Sequence, residues 1–479
     1  MDLAFTSAVD IADRVNSGDL DPVAVVETYL DRIAARGDVT NAFVTVIESD
    51  AKDSARAVRD RVEAGEDLPL AGVPIGIKDL ADFKEGVRHT MGLKPRENTV
   101  ADETSVVTQR LEEAGAVVVG TTNTPELGHR VRTDNMLLGP TGTPFDPDRN
   151  AGGSSGGSAA ALADGLCALA TGSDVGGSLR NPAACCGVVS VKPTHGLVPR
   201  GSRANGYRGH TPVSVVGPMA RDVASLALML DVIAGVDRID PFSVPTPETY
   251  ADRLHTGTDT GELRLAYSYG LDRFPVTRSV RESIDATLSD LEDAGATVDE
   301  ITINGPTRDA IEEAYLITVT TYFASAVAEL DRAVGEDFLA TNADEVPSRL
   351  SELVEVGRSH ELTSYTDTEF ARTALFHAIE DSLEGYDALI CPTLATPPLT
   401  HDEDIPEEID GEPTDGMPTD WTLAWPFNLT GHPVVNVPAH TADGLPIGMQ
   451  LVGSTYSEGR LLEVAAEIET ASPWTYPDA

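Results

Sequence analysis

Lysine is close to absent from this sequence. Lys52, Lys78, Lys84, Lys94 and Lys192 are the five, and the remaining basic side chains are arginine. Basic residues are scarce altogether: 34 stand against 78 acidic ones, a formal net charge of −44. No basic stripe is left to neutralise phosphates, which excludes nucleic-acid binding through a positive face. Long apolar runs are missing too. None reaches the roughly 18 residues a membrane helix needs, and the start, MDLAFTSAVDIADRVNSGD, lacks the basic and apolar regions of a secretory signal. A soluble, cytoplasmic protein without a membrane partner is expected. Cysteine is limited to Cys167, Cys185, Cys186 and Cys391, in no CxxC pair or finger spacing. That excludes a zinc site and a disulfide framework, leaving buried small hydrophobes as the reading.

What is present is enough for a core, with 41% hydrophobic residues. Asp21 can cap a helix with Pro22 at its first position. Val26, Tyr29, Leu30 and Ile33 then share one face before Gly37 ends it. AFVTVI reads as a short strand, followed by an amphipathic helix through Ala55, Val58 and Val62. LAGVPIGIKDL reads as a buried strand ending at Lys78-Asp79, and SVVTQRLEEAGAVVVGTTNTPE as helix, turn at Gly115 and strand. RLAYSYG, SVRESIDATLSDLEDAG and TVDEITI repeat that alternation near 263–303. The alternation predicts an α/β fold, a sheet with helices on both faces. No period of about 20–50 residues recurs and no low-complexity linker divides the chain, so 1–479 reads as a single domain. The Pro-, Asp- and Glu-rich stretch from about 400 to 417 reads as a surface loop.

Two glycine–serine clusters, GGSSGGS and DVGGS, lie within residues 151–182. A phosphate loop would need lysine and Ser/Thr after the first cluster, and the sequence runs instead into SAAALADG. G-x-S-x-G is satisfied through both Ser154 and Ser155, but a nucleophile elbow needs a strand just before it, and GTPFDPDRNA does not read as one. Helix-capping serines after flexible glycines remain the plain reading. DVGGS has a better context. CALATGS is a plausible buried strand, so Asp174 to Ser178 would turn from its end into a helix starting near Leu179. The N–H groups of Val175, Gly176, Gly177 and Ser178 could then converge on one point, an oxyanion hole beside a hydroxyl. None of the ten histidines, His129 and His195 included, sits in a triad frame. Lys78, after the apolar PIGIK, is the stronger base in a chain that otherwise uses arginine for charge. The plain alternative for it is an anchoring ion pair.

The chain resembles the amidase signature family of serine hydrolases. The resemblance rests on GVPIGIKD (72–79), TNTPELG (122–128), the block from GGSSGGS to GGSLRNPAA (152–184) with GVVSVKPTHGLVP after it, YDALICPT (386–393), NLTGHPVVNVPA and GLPIGMQLVG (428–453). It implies one α/β domain around a mixed sheet: a signature core at about 66–235, a variable substrate-pocket region at about 236–385 that carries little of the likeness, and the rest of the fold at 386–479. By the same likeness Ser178 is the nucleophile, Ser154 a bridging serine on a cis peptide bond, and Lys78 the base. The backbone at Val175, Gly176, Gly177 and Ser178 forms the oxyanion hole. Ser155, Asp174 and Arg180 hold the network, and Gly128 lines the scissile group. NAGGSS, where a proline often precedes the glycines, and Cys185-Cys186, in place of an aromatic-cysteine pair, are the departures.

The implied reaction hydrolyses a non-peptide carboxylic amide through an acyl-Ser178 intermediate, with no cofactor or metal and a small-molecule amide as partner. Lys78 must act as a neutral amine. From a pKa near 10.4, neutrality at pH 7 costs about 4 to 5 kcal/mol. The net charge and adjacent Asp79 both push that pKa upward, so burial must push it down by more, with Asp79 turned away or held by other donors. The serious alternative is the A-type glutaminase subunit of a glutamyl-tRNA amidotransferase, which works with partner subunits. Its glutamine-reading Tyr-Gly-x-Glu-Val-x-x-x-Arg has only a partial counterpart, Glu345-Val346 and Arg349, and the later acid falls one place off at Asp420. A retired scaffold is the third reading; Lys78, Ser154 and Ser178 are all still present. A homo-oligomer is left open. The acidic composition resembles that of cytoplasmic proteins of salt-loving organisms.

Overall fold

A computed structural model of the protein describes residues 3–201, 205–207, 212–246, 248–255, 260–403 and 405–477. Among the described residues eleven strands form one sheet: β1 (Phe43–Val46), β2 (Pro74–Lys78), β3 (Val117–Thr122), β4 (Leu169–Asp174), β5 (Val189–Lys192), β6 (Val215–Ala220), β7 (Arg264–Tyr267), β8 (Thr297–Glu300), β9 (Ala388–Pro392), β10 (Val434–Pro438) and β11 (Gly448–Val452). Across the sheet the order is β1-β3-β2-β4-β6-β5-β10-β11-β9-β7-β8. β2 runs parallel to β3 and β4, and β7 parallel to β8 and β9; the other junctions are antiparallel. Every residue of β2, β3, β4, β9, β10 and β11 is buried, so both faces of the sheet are covered. The result is the expected single-domain α/β fold with a large mixed sheet flanked by helices. All four cysteines are free and buried, and no described helix is long and apolar enough to cross a membrane.

The N-terminal elements follow the sequence closely, with one difference. Asp21 accepts the Val23 N–H at 2.9 Å and starts the helix Pro22–Thr40, which buries Val26, Tyr29, Leu30 and Ile33. Gly37 does not end it. The helix continues to Asn41 in the left-handed region at φ 53°, whose N–H returns to Gly37 O at 3.0 Å. The Asn41 side-chain amide ties this end to the carbonyls of Leu138 and Pro140. Those bonds outweigh the roughly 1 kcal/mol that a glycine costs inside a helix.

A second difference lies just before the first serine cluster. Asp146–Asn150 is a strand, paired antiparallel with Gly142–Thr143 in a separate two-stranded hairpin. Proline is tolerated there because the pair stands at an edge, outside the main sheet. The strand does not run straight into a helix: Ala151–Ser155 intervene before the helix Gly156–Ala163. That helix lies so close to its neighbours that a Cβ at Gly157 would collide with the Asn123 backbone.

The acidic stretch after 400 is mostly irregular but contains a minimal hairpin, Glu408–Ile409 with Glu412–Pro413; Asp404 lies outside the described residues. The middle segment contributes the helices Arg308–Val334, Ser348–Ser359 and Leu362–Ser382. Val319, Phe323, Val327 and Leu350 from this region form an apolar cluster with Leu93 and Leu127. The variable segment is thereby packed against the residue preceding Gly128.

Candidate active site

Lys78 and Asp174 end neighbouring parallel strands, β2 and β4, whose register pairs Ile75 with Leu169 and Gly76 with Ala170. Carboxyl ends of parallel strands are where open α/β sheets place ligands. Lys78 is fully buried, and its backbone N–H donates to Thr171 Oγ1 at 3.0 Å. Its amine donates to Ser154 Oγ at 2.8 Å and to Ser173 Oγ at 3.0 Å. Hydroxyls rather than carboxylates surround the nitrogen, and burial pushes its pKa from 10.5 down to about 7, against the opposing pull of Asp174 and Asp82. Asp79, the adjacent acid, is turned away. Its carboxylate accepts from the Thr90 N–H at 2.9 Å and from the Thr90 hydroxyl, and burial raises its pKa to about 7 despite those bonds. Lys78 is not held in an anchoring ion pair: among the described residues no carboxylate lies within 4 Å of its amine.

Ser154 is buried and follows a cis peptide bond from Gly153. Gly128, at φ 72°, lies directly over it, since a Cβ there would sit 3.0 Å from Ser154 Oγ. Ser155 joins the two serine clusters. Its N–H donates to the Ser178 carbonyl at 3.1 Å and its hydroxyl to Ser173 O at 3.4 Å.

Ser178 stands in the turn before the helix Arg180–Cys186 and keeps partial exposure, whereas Lys78, Ser154 and Ser173 are buried. Lys78 and Ser154 are therefore linked directly, while the Ser178 hydroxyl has no hydrogen-bond partner among the described residues. The turn is held by Asp174, which accepts the N–H groups of Gly177 at 2.7 Å and Leu179 at 3.1 Å. The Gly177 N–H is thus committed to Asp174. Those of Val175, Gly176 and Ser178 have no acceptor among the described residues and remain available to an incoming oxygen. Gly177 itself, at φ 111°, requires glycine.

Asp174 is in turn clamped by Arg180 through Nε and Nη2, both at 3.0 Å, and by Asn428 Nδ2 at 2.9 Å. Burial works against its charge, but the guanidinium and these donors hold its carboxyl well below the usual carboxylate range. Arg180 spends its remaining donors on Ala424 O, Gln450 Oε1 and Asn428 Oδ1, at 2.7–2.8 Å. Every partner of this buried pair is satisfied. Arg180→Leu is accordingly expected to destabilise the fold by about 3–5 kcal/mol by leaving a buried anion unpaired; urea denaturation measures it, and a loss under about 1 kcal/mol would contradict the clamp.

Several participants are not legible in the sequence. Ser173 shares the lysine amine, Asn428 and Gln450 brace the arginine, and Tyr315 sits over the turn, where a Cβ at Gly176 would collide with its hydroxyl. Asn428 and Gln450 lie in stretches that carry the family resemblance, with no role attached to either. Among the described residues no group of three His, Cys, Asp or Glu side chains is arranged to hold a metal ion.

Comparison with known proteins bears on the family and the fold. The family model described as Amidase matches residues 24–462. The chain is 34% identical over 476 residues to an acylamidase of Rhodococcus erythropolis, covering 98% of this chain and 96% of the relative. It is 35% identical over 471 residues to the A-type subunit of the glutamyl-tRNA(Gln) amidotransferase of Thermosynechococcus vestitus, covering 94% of each. Among solved structures, a bacterial aryl acylamidase of the amidase signature enzymes superposes with a TM-score of 0.91 at 31% identity, covering 98% of this chain and 97% of the other. The peptide amidase of Stenotrophomonas maltophilia gives 0.82 at 27% identity, covering 99% and 98%.

Proposed function

The chain belongs to the amidase family and is a hydrolase acting on amides, and from that premise we propose that Ser178, Ser154 and Lys78 carry the reaction in that order. The single observation behind the proposal is the 2.8 Å hydrogen bond from a fully buried lysine amine to Ser154 Oγ. A neutral Lys78 takes the Ser154 proton while Ser154 takes that of Ser178, whose oxygen bonds to the amide carbon. Substrate binding brings the Ser178 hydroxyl to Ser154, since catalytic hydrogen bonds left open in a free enzyme tighten in the complex. The carbonyl oxygen, now charged, is received by the N–H groups of Val175, Gly176 and Ser178, oriented by Asp174 before substrate arrives. Collapse breaks the C–N bond, and the leaving amine takes the relayed proton. Water then adds to the acyl carbon by the same relay, releasing carboxylate and freeing Ser178.

The stand-alone amidase reading is favoured over a glutaminase subunit by Asp420. Its carboxylate is bound to Arg308 and to the N–H groups of Asp415 and Met417, at 3.0 and 2.8 Å, so it serves the loop rather than an empty site. We further read the acidic surface as that of a cytoplasmic protein working at high salt, where screening lowers the self-repulsion. The purified chain, in molar salt, is expected to release ammonia or amine from a panel of glutamine, aliphatic, aryl and indole amides without partner subunits. A fluorophosphonate probe is expected to label Ser178. Glutaminase activity that appears only on addition of partner subunits would instead establish the amidotransferase reading.

A further inference from the structure

A buried carboxylate that the serine relay leaves unused lies on the turn that follows Lys78. Strand β2 ends at Lys78, and the Leu80 N–H donates back to the Lys78 carbonyl at 2.6 Å, so the chain reverses there. Asp79 leaves on one side, toward Thr90. Asp82 comes round to Ser105, which caps the helix Val106–Glu113, and is buried. Its Oδ1 accepts from Ser105 Oγ at 3.4 Å, and its Oδ2 receives no hydrogen bond among the described residues. The acids on either side of it are better supplied. Asp79 is held by Thr90, and Asp174 by Gly177, Leu179, Arg180 and Asn428.

A buried carboxylate oxygen without a donor is costly, and a nearby cation must then balance its charge. Lys78 supplies more of that balance than Arg200, whose backbone N–H and Nη1 are bound to Asp240 and to the Ser214 carbonyl. Burial raises the Asp82 pKa to about 6, against the pull of the Thr171 hydroxyl, Lys78, Ser105 and Arg200. Thr171 serves both groups: its Oγ1 accepts the Lys78 N–H at 3.0 Å, and it favours the Asp82 charge without closing a hydrogen bond. The imidazole of His89, from the same turn, faces the Leu80 carbonyl at 3.1 Å.

Burial of Lys78 is opposed by Asp174 first and Asp82 second. Asp174 is already paired with Arg180, at 3.0 Å, whereas Asp82 has no such partner. A carboxylate in contact with the amine would keep it protonated and unfit as a base. Among the described residues none lies within 4 Å of it. From beyond contact a buried charge still acts, because the interior screens it less than water does.

We propose that Asp82 is a positioning residue for the hydrolysis, its buried carboxylate serving as the counter-charge of the Lys78 ammonium that each turn of the relay creates. The inference rests on the relay from Ser178 through Ser154 to Lys78 and deepens it. As the Ser178 oxygen bonds to the amide carbon, the Ser154 proton passes to the lysine nitrogen, leaving an oxyanion and a buried ammonium. Backbone N–H groups meet the first and Asp82 the second. When the leaving amine takes the proton back through Ser154, Lys78 is neutral again. Asp82 itself gains and loses no proton in this cycle.

The test is the pH dependence of kcat/KM on one amide, with the rate of fluorophosphonate labelling of Ser178 as a second readout that needs no substrate. D82N and D82A remove the charge, so the ammonium loses support and the Lys78 midpoint falls. The rising limb is expected to move down by about half a unit to one unit. Above the limb the rate should fall by about threefold to tenfold, and below it the profiles should draw together. D82E keeps the charge, and a cavity of about 60 Å³ beside Asp82, Ser105 and Arg200 accommodates its extra methylene. Its limb is expected where the parent's is. Lost packing alone would lower the whole profile without moving the limb. Thermal unfolding of each variant accompanies the kinetics. Limbs that stay with the parent's in D82N and D82A, or move up, overturn the assignment and leave the amidase reading intact, as does a D82E limb displaced like that of D82N. A parent profile that is flat through the neutral range overturns the lysine relay and this inference with it. Failure of the amidase reading looks different: no amide is turned over and Ser178 takes no fluorophosphonate.

Discussion

Replacing Ser178 with alanine is expected to lower kcat by about 10⁴-fold or more on every amide the enzyme accepts, with the fold unchanged. Loss of the attacking atom in a serine hydrolase removes nearly all that the linked groups achieve together, because those groups act as one unit. What survives comes from the polarising backbone donors and from substrate positioning. The stability half of the expectation follows from the surroundings of this side chain. Ser178 is partly exposed, and its hydroxyl is bonded to nothing among the described residues, so its removal should change stability by less than about 0.5 kcal/mol. Steady-state kinetics alongside thermal unfolding checks both halves. An S178A enzyme with more than a few per cent of the parent rate would end the assignment of the nucleophile.

Lys78→Met is expected to lower kcat by about 10³-fold or more while making the protein more stable near neutral pH. The first effect is the loss of the proton acceptor. The second comes from linkage. In the unfolded chain the amine binds a proton below pH 10.5, but in the fold burial lowers that midpoint to about 7. Between those values the unfolded state holds more protons, so the lysine's contribution to stability improves as pH rises from 7 to 10.5 and is least favourable below 7. Methionine removes that penalty, worth up to about 5 kcal/mol below pH 7 and about 4 kcal/mol at pH 7, while depriving Ser154 and Ser173 of a donor at about 1 kcal/mol each. A net gain of about 1–3 kcal/mol at pH 7 is expected, fading toward pH 10. In the parent enzyme kcat/KM should rise with pH through about 7, as the amine loses its proton. Asp79 and Asp82, with pKa values raised by burial to about 7 and about 6, titrate in the same window, so the rising limb belongs to the cluster. Denaturation of both proteins across pH 6–10 is the measurement. Equal stability at every pH would mean that Lys78 is not desolvated, and a flat rate profile would remove it as the base.

The local elements were legible because their signals are local. PIGIK is apolar at every position before its lysine, and a strand ending at Lys78 follows from that alone. Asp21-Pro22 marks a helix start, and Gly115, Gly128 and Gly177 stand at positive φ where a side chain would be strained. Where sequence and structure differ, the cause is a partner distant in sequence or at an edge. Gly37 is carried through a helix by the cap that Asn41 finds on a distant loop, and Asp146–Asn150 pairs as an edge hairpin despite its proline.

Residue types and their order along the chain pointed to Lys78, a scarce lysine after an apolar strand, and to the turn Asp174–Ser178, while the resemblance to the amidase signature family added Ser154. Only the tertiary structure decided what surrounds them. Register between β2 and β4 brings Ser173 to the lysine amine, and sheet order brings Gln450 to Arg180 across 270 residues of chain. Desolvation and charge pairing are set by neighbours in space, and no pattern along a chain specifies which those will be.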